Sequence, residues 1–133
     1  MSELGIARHR ARERAFELLY ELSIKDRSVA AVVNELPVAP DPYTVALLRA
    51  VEEHRTWAEG LLAEFSTEWT LERMAMVDRL IMTMALCELR LEEPPPRAVI
   101  LDEAVEFAKV YSTDGSPSYV NGVLAACFSH YTS

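Results

Sequence analysis

Four arginines stand within seven residues, Arg8, Arg10, Arg12 and Arg14, and the same stretch holds a single acid, Glu13. Wound at about 100° per residue, Arg8, Arg12, Phe16 and Tyr20 form one row along a helix, while Arg10 and Arg14 project from the far side. Guanidinium groups that run into aromatic rings suit single-stranded RNA, where phosphates take the cations and an unpaired base stacks on a ring. The placement has a local cost, because positive side chains in a first turn oppose the helix macrodipole by about 0.3–1 kcal/mol each. A second reading fits the same residues. In it Phe16 is core, and Arg10 and Arg14 pair with Glu13 and Glu17 on an ordinary solvated face.

Little else in the sequence is arranged for chemistry. His9, His54 and His130 are isolated, and there is no nucleophile elbow, phosphate loop or zinc motif. Cys87 and Cys127 each lie in an apolar stretch without a second ligand at metal spacing, and they read as small core residues. Glu52 with Glu53, and Glu92 with Glu93, are adjacent along the chain, so on helices they point in different directions and cannot act as an acid and base pair. The expectation is a protein that is not an enzyme and uses no metal and no cofactor.

The charge balance qualifies the RNA reading. The chain has 133 residues and a net charge of −8, which opposes phosphate binding. Yet Arg8 to Arg14 carry a local +3, leaving −11 for the rest, so the positive charge sits at one end. Half the residues are hydrophobic and only 4 are Gly, which excludes disorder and fits one packed domain over residues 1–133. Met1 to Ala7 lack an apolar core of signal-peptide length. The most hydrophobic segment, Leu71 to Leu91, is interrupted by Asp78, Arg79, Glu88 and Arg90. A soluble, cytoplasmic protein with no membrane association is expected.

The elements that must position the arginines all read as helices. Arg8 to Ile24 brings Ala11, Ala15, Leu18, Leu19 and Leu22 to one face, and Ser28 to Leu36 is a short amphipathic piece. Pro37, Pro40 and Pro42 break the chain before a long helix over Tyr43 to Phe65. Thr67 and Thr70 are plausible caps for a helix over Leu71 to Leu91, apolar on nearly every side and therefore central. Its Met74, Met76, Met82 and Met84 suit core filling better than a pliable groove. After Pro94, Pro95 and Pro96 comes a helix carrying Ile100, Leu101, Ala104, Ala108 and Tyr111. A last helix follows, with Ser116 as cap and Pro117 in first position, running through Phe128. Gly122 inside it suggests close backbone packing against a neighbour, or merely a locally weak helix. The expected fold class is all-α, with no strand.

Three stretches together resemble the transcription antitermination factor NusB family. They are Arg8 to Glu13 leading to Leu19 and Tyr20; Trp69, Leu71, Arg73, Val77, Asp78, Arg79, Ile81, Ala85, Glu88 and Leu89; and Val99 through Asp102, Glu103, Ala104, Glu106, Ala108 and Lys109 to Ser116 and the run Tyr119 to Leu124. Ser28 to Leu62 matches only in helical character. The resemblance implies about seven helices in two packed bundles and no catalysis. It also implies binding of boxA RNA together with the small-subunit ribosomal protein S10, also called NusE, in an antitermination complex on RNA polymerase. Carried over by motif, the RNA contacts are Arg8, Arg10, Arg12, Tyr20, Ser116 and Tyr119, and the partner contacts are Glu72 and Asp78. Arg8, Arg12 and Tyr119 are expected to serve RNA affinity without holding the core together.

The chain departs from the family pattern at Gly115, where an Asp is frequent, at Cys87, where a Tyr is frequent, and at His9, where an Arg is frequent. It also ends at Tyr131, Thr132 and Ser133 without a basic tail. Two rivals remain: a homodimeric helical scaffold whose basic helix is buried, and a stand-alone relative of the helical domain of ribosomal RNA methyltransferases.

Overall fold

The computed structural model describes residues 2–131, so Thr132 and Ser133, and with them most of the expected tail-less end, lie outside the described residues. Six helices fill the described chain, where about seven were expected: α1 (Glu3–Lys25), α2 (Val29–Glu35), α3 (Pro42–Phe65), α4 (Met76–Glu88), α5 (Arg97–Tyr111) and α6 (Ser116–His130). No strand occurs among the described residues, and none of their helices is long and apolar enough to cross a membrane.

Local chemistry sets most of the boundaries. Ser2 accepts from the Gly5 N–H at 3.0 Å, Ser28 from Ala31 at 3.1 Å, and Asp41 from Tyr43 at 2.7 Å, with Pro42 pre-set in the first turn of α3. Each satisfies a donor that a helix start leaves open. α1 stops at Asp26, whose left-handed φ of 51° turns the chain, a conformation that short polar side chains tolerate. At the other end of the molecule Arg97 donates to the carbonyls of Phe128 and Tyr131, closing the end of α6.

α4 is the axis. It packs against α1, α3, α5 and α6 and buries ten of its 13 residues, as a helix apolar on all sides must. It is shorter than the expected Leu71 to Leu91. Residues 70–74 form a separate turn in which Met74 N–H reaches the Thr70 carbonyl at 2.9 Å, and Ala75 then extends before α4 begins. A single turn also brings residues three and four apart to one side, so the helical spacing of Leu71 and Met74 did not distinguish the two. Neither Thr67 nor Thr70 caps α4 with its side chain. Met74, Met82 and Met84 are core, while Met76 is exposed.

Two further expectations change at α6. Gly115, not Ser116, occupies the cap position. Gly122 is exposed, and a Cβ there would meet no neighbour within 4 Å, so its backbone is not in close packing. Gly60 on α3 is equally open. Cys87 and Cys127 are buried free thiols whose burial pushes their pKa values up to about 12 and about 11, which makes them inert at neutral pH.

Because a glycine inside an exposed helix costs about 0.8–1 kcal/mol relative to alanine, Gly60→Ala and Gly122→Ala should each raise the urea midpoint by an amount equivalent to about that free energy. Loss of stability in Gly122→Ala would restore the close-packing reading.

Candidate nucleic-acid interface

The row of Arg8, Arg12, Phe16 and Tyr20 does not lie on one surface. Residues four apart drift by about 40° per step around an α-helix, so the ends of the row emerge while its middle turns inward. Phe16 is core, tilted against Tyr111 at 5.1 Å and stacked on Phe107 at 6.0 Å between ring centroids. Tyr20 is 38% exposed. Arg8 is half-buried with its guanidinium 4.0 Å above the centre of the Tyr43 ring, a cation–π contact that leaves its N–H donors available.

Arg12 is only 3% exposed. Its Nε donates to both oxygens of Glu88 at 3.0 Å, a terminal nitrogen lies 2.8 Å from the same carboxylate, and the other donates to Glu103 at 2.9 Å. The Tyr43 hydroxyl donates to Glu88 at 2.5 Å. Burial works against the Arg12 charge, but the hydrogen bonds and charge of Glu88, reinforced by Tyr43 and Glu103, hold its pKa above the ordinary value. Burial and the Glu88 carboxylate likewise hold the Tyr43 proton above the usual phenol range. The expectation that Arg12 is an outward cation is therefore corrected: its donors are committed to two carboxylates on α4 and α5. His9 joins the edge of this cluster, with Nδ1 3.0 and 3.1 Å from the Glu103 oxygens and Nε2 3.5 Å from Glu13. Arg10 and Arg14 are exposed, and among the described residues neither forms the expected pair with Glu13 or Glu17.

The last-helix candidates are also partly withdrawn into the protein. Ser116 is 2% exposed and donates to Asp78 at 2.9 Å, and Ser112 donates to the other Asp78 oxygen at 2.6 Å. Asp78 is itself buried, so neither Ser116 as an RNA contact nor Asp78 as a partner contact presents its polar atoms to solvent. Tyr119 is half-buried. Its hydroxyl is 2.6 Å from Ser66 Oγ, whose own proton goes to the Trp69 carbonyl, so Tyr119 is the donor. Tyr119 lines an open groove of about 540 Å³ with Phe65, Glu68, Gly115, Ser118 and Gly122. That groove has no cationic lining residue and shares none with the surface around Arg8. Glu72 is exposed, on the turn before α4, beside Leu71, Met74 and Met76.

Sequence reasoning missed Tyr43, Glu88 and Glu103 as the partners of the arginine helix. Nothing local marks them, since they lie 31, 76 and 91 residues from Arg12. Of these, Glu103 was noticed only as part of the resemblance, and Glu88 there and as a charge interrupting the most hydrophobic segment.

The fold and this surface define a small all-helical protein with a cationic first helix on an acidic body. Comparison with known proteins places it more closely. The NusB family model matches residues 9–128, and the chain belongs to the NusB family. A curated relative, the transcription antitermination protein NusB of Saccharopolyspora erythraea, is 42% identical over 125 residues, covering 89% of this chain and 84% of that one. The solved structure of NusB from T. maritima superposes with a TM-score of 0.83 at 28% identity, covering 95% of this chain and 93% of that one. NusB from Aquifex aeolicus shares the fold with a TM-score of 0.71 at 21% identity, with 95% and 93% covered.

Removing one partner of a buried ion pair strands the other, at about 3–5 kcal/mol. Arg12→Ala should therefore destabilise the protein by about that much in urea unfolding, whereas Arg10→Ala should stay within about 0.5 kcal/mol of wild type. Asp78→Ala removes the charged acceptor of buried Ser116 and half-buried Ser112, which keep only each other and Thr113 as side-chain partners, and should cost about 1–3 kcal/mol in the same measurement.

Proposed function

We propose that this protein is a cytoplasmic RNA-binding antitermination factor that holds boxA RNA together with ribosomal protein S10, within an assembly on RNA polymerase, and that it performs no catalysis. The observation that carries the reading is the sorting of charge on α1. Arg12 is locked inside, while Arg8, Arg10 and Arg14 keep guanidinium groups outside any ion pair among the described residues, on a chain that is otherwise acidic. Membership of the NusB family supports it.

In this reading Arg8, Arg10 and Arg14 take phosphates, and the exposed Tyr20 ring offers a stacking face at the far end of the helix. Tyr119 contributes its ring face while its hydroxyl holds the turn after α3. Ser116 and Asp78 act behind the surface by fixing where α6 begins. The ribosomal partner is basic, and the acidic body suits it. Glu72, beside the exposed Met76 and Trp69, offers it a charge next to apolar area.

The test is fluorescence anisotropy of a labelled boxA RNA across a salt series, with the protein alone and with purified S10. Three phosphate contacts on a single strand give a slope near −2 in log affinity against log salt, from roughly −0.7 per contact. The pair should bind more tightly and with a steeper slope. Arg10→Glu/Arg14→Glu should weaken binding by about tenfold or more with an unchanged melting temperature, since both side chains are exposed. RNA affinity that survives this double reversal would remove α1 as the RNA surface.

A further inference from the structure

We propose that the groove between the starts of α1 and α5 is a docking site for a cationic, leucine-anchored segment of a partner protein, a site that borders the RNA surface at Arg8 and is separate from the Glu72 face. The groove encloses about 620 Å³. Leu4 forms one lip and Val99 the other, at 63% and 43% exposure, so both present aliphatic area to water without cover. Between them lie Pro95 and Pro96. Their fixed φ angles hold the floor in place before anything binds, which reduces the ordering cost of association.

The charge around this floor selects the occupant. Four carboxylates and two guanidinium groups line it, but Arg12 is paired with Glu88 and Glu103, which leaves Arg8, held over the Tyr43 ring, as the one cation beside the acids. Of the acids, Glu93 and Asp102 have no ion-pair partner among the described residues and stand exposed at the rim. An apolar floor with an acidic rim fits an aliphatic side chain flanked by lysine or arginine. A second copy of this chain would bring acid to acid, and RNA would bring phosphate to the same carboxylates, so both are disfavoured by the same charges.

The probe is a fluorescein-labelled helical peptide with leucine pairs spaced by lysines, titrated by anisotropy with the full chain. A second peptide has serine in place of every leucine. The first should saturate and the second should not. Leu4→Ser/Val99→Ser removes both lips and should weaken binding by about tenfold or more, and Asp102→Lys by about fivefold. Glu52→Lys makes the same charge change on α3, outside the groove, and should stay within about twofold of wild type. Because Leu4, Val99 and Asp102 are exposed, helicity and melting temperature should not move.

Failure of the wild-type chain to saturate would overturn the proposal, as would undiminished binding by Leu4→Ser/Val99→Ser or an equal loss in Glu52→Lys and Asp102→Lys. Sedimentation and RNA binding decide between occupants. A wild-type dimer that Leu4→Ser/Val99→Ser dissolves, or boxA binding that the same variant abolishes, would give the groove to a second copy or to RNA and overturn the peptide. Loss of RNA binding in Arg10→Glu/Arg14→Glu, both outside the groove, with peptide binding intact would support two distinct sites.

Discussion

The arrangement of this protein turns on the buried guanidinium of Arg12. One side chain on α1 reaches Glu88 at the end of α4 and Glu103 in α5, and Glu88 is held in turn by Tyr43 from the first turn of α3. Four helices thus meet at one charge cluster, at the point where the apolar faces alone would allow α1 to slide or rotate. Hydrophobic burial is non-directional, whereas a guanidinium demands carboxylates in the plane of its N–H groups. Such a cluster is a poor source of net stability, since apolar residues of equal volume often do as well. Its contribution is to fix register. No buried side-chain nitrogen or oxygen is left unpaired among the described residues, which is the condition under which a polar core specifies one packing.

Asp78 does the same at the opposite end of α4. Placed in the first turn, where the helix dipole favours a carboxylate, it binds Ser112 just past α5 and Ser116 at the start of α6. The two acids Asp78 and Glu88 bracket α4 and anchor its neighbours, α6 through Asp78 and α1 through Glu88. The loops that join the helices therefore need little order of their own, and the short connection from Tyr111 to Ser116 is held by side chains more than by turn chemistry. The surface follows from these anchors, because they determine which arginines of α1 point outward.

Much of this was legible in the sequence. The apolar stripe of α1, the cap residues Ser28 and Asp41, and the proline breaks before α3 and α5 report local physics, and local physics is what a sequence displays. The surface role of individual polar residues was not. Arg12 and Arg8 are the same residue type one turn apart, and a drift of about 40° separates a core ion pair from an open cation. Ser116 and Asp78 look like contact residues because they are polar, yet their partners lie across the fold, at separations that no spacing rule covers. The same limit applied to Gly122. A glycine in a helix signals either close approach or indifference, and only the neighbouring atoms decide between them.

That burial of Arg12 bears on the proposed binding of RNA by an acidic chain. A cation paired inside the fold adds nothing to the field outside, so the charge available to phosphate on α1 is smaller than the arginine count implies, and it is concentrated on Arg8, Arg10 and Arg14. Between exposed charges separated by more than about 8–10 Å, salt screens most of the interaction at physiological ionic strength. The remaining −11 would therefore oppose the proposed RNA binding mainly through the acids closest to that stretch, such as Glu17 on the same helix, beside Glu13 within it. The distant acids are left available to a basic partner. On the proposed function, a protein organised in this way would depend on an assembly for strong RNA binding, because its own cations are few. It also carries that dependence in its core, since the arginine withheld from RNA is the one that fixes α1 in place.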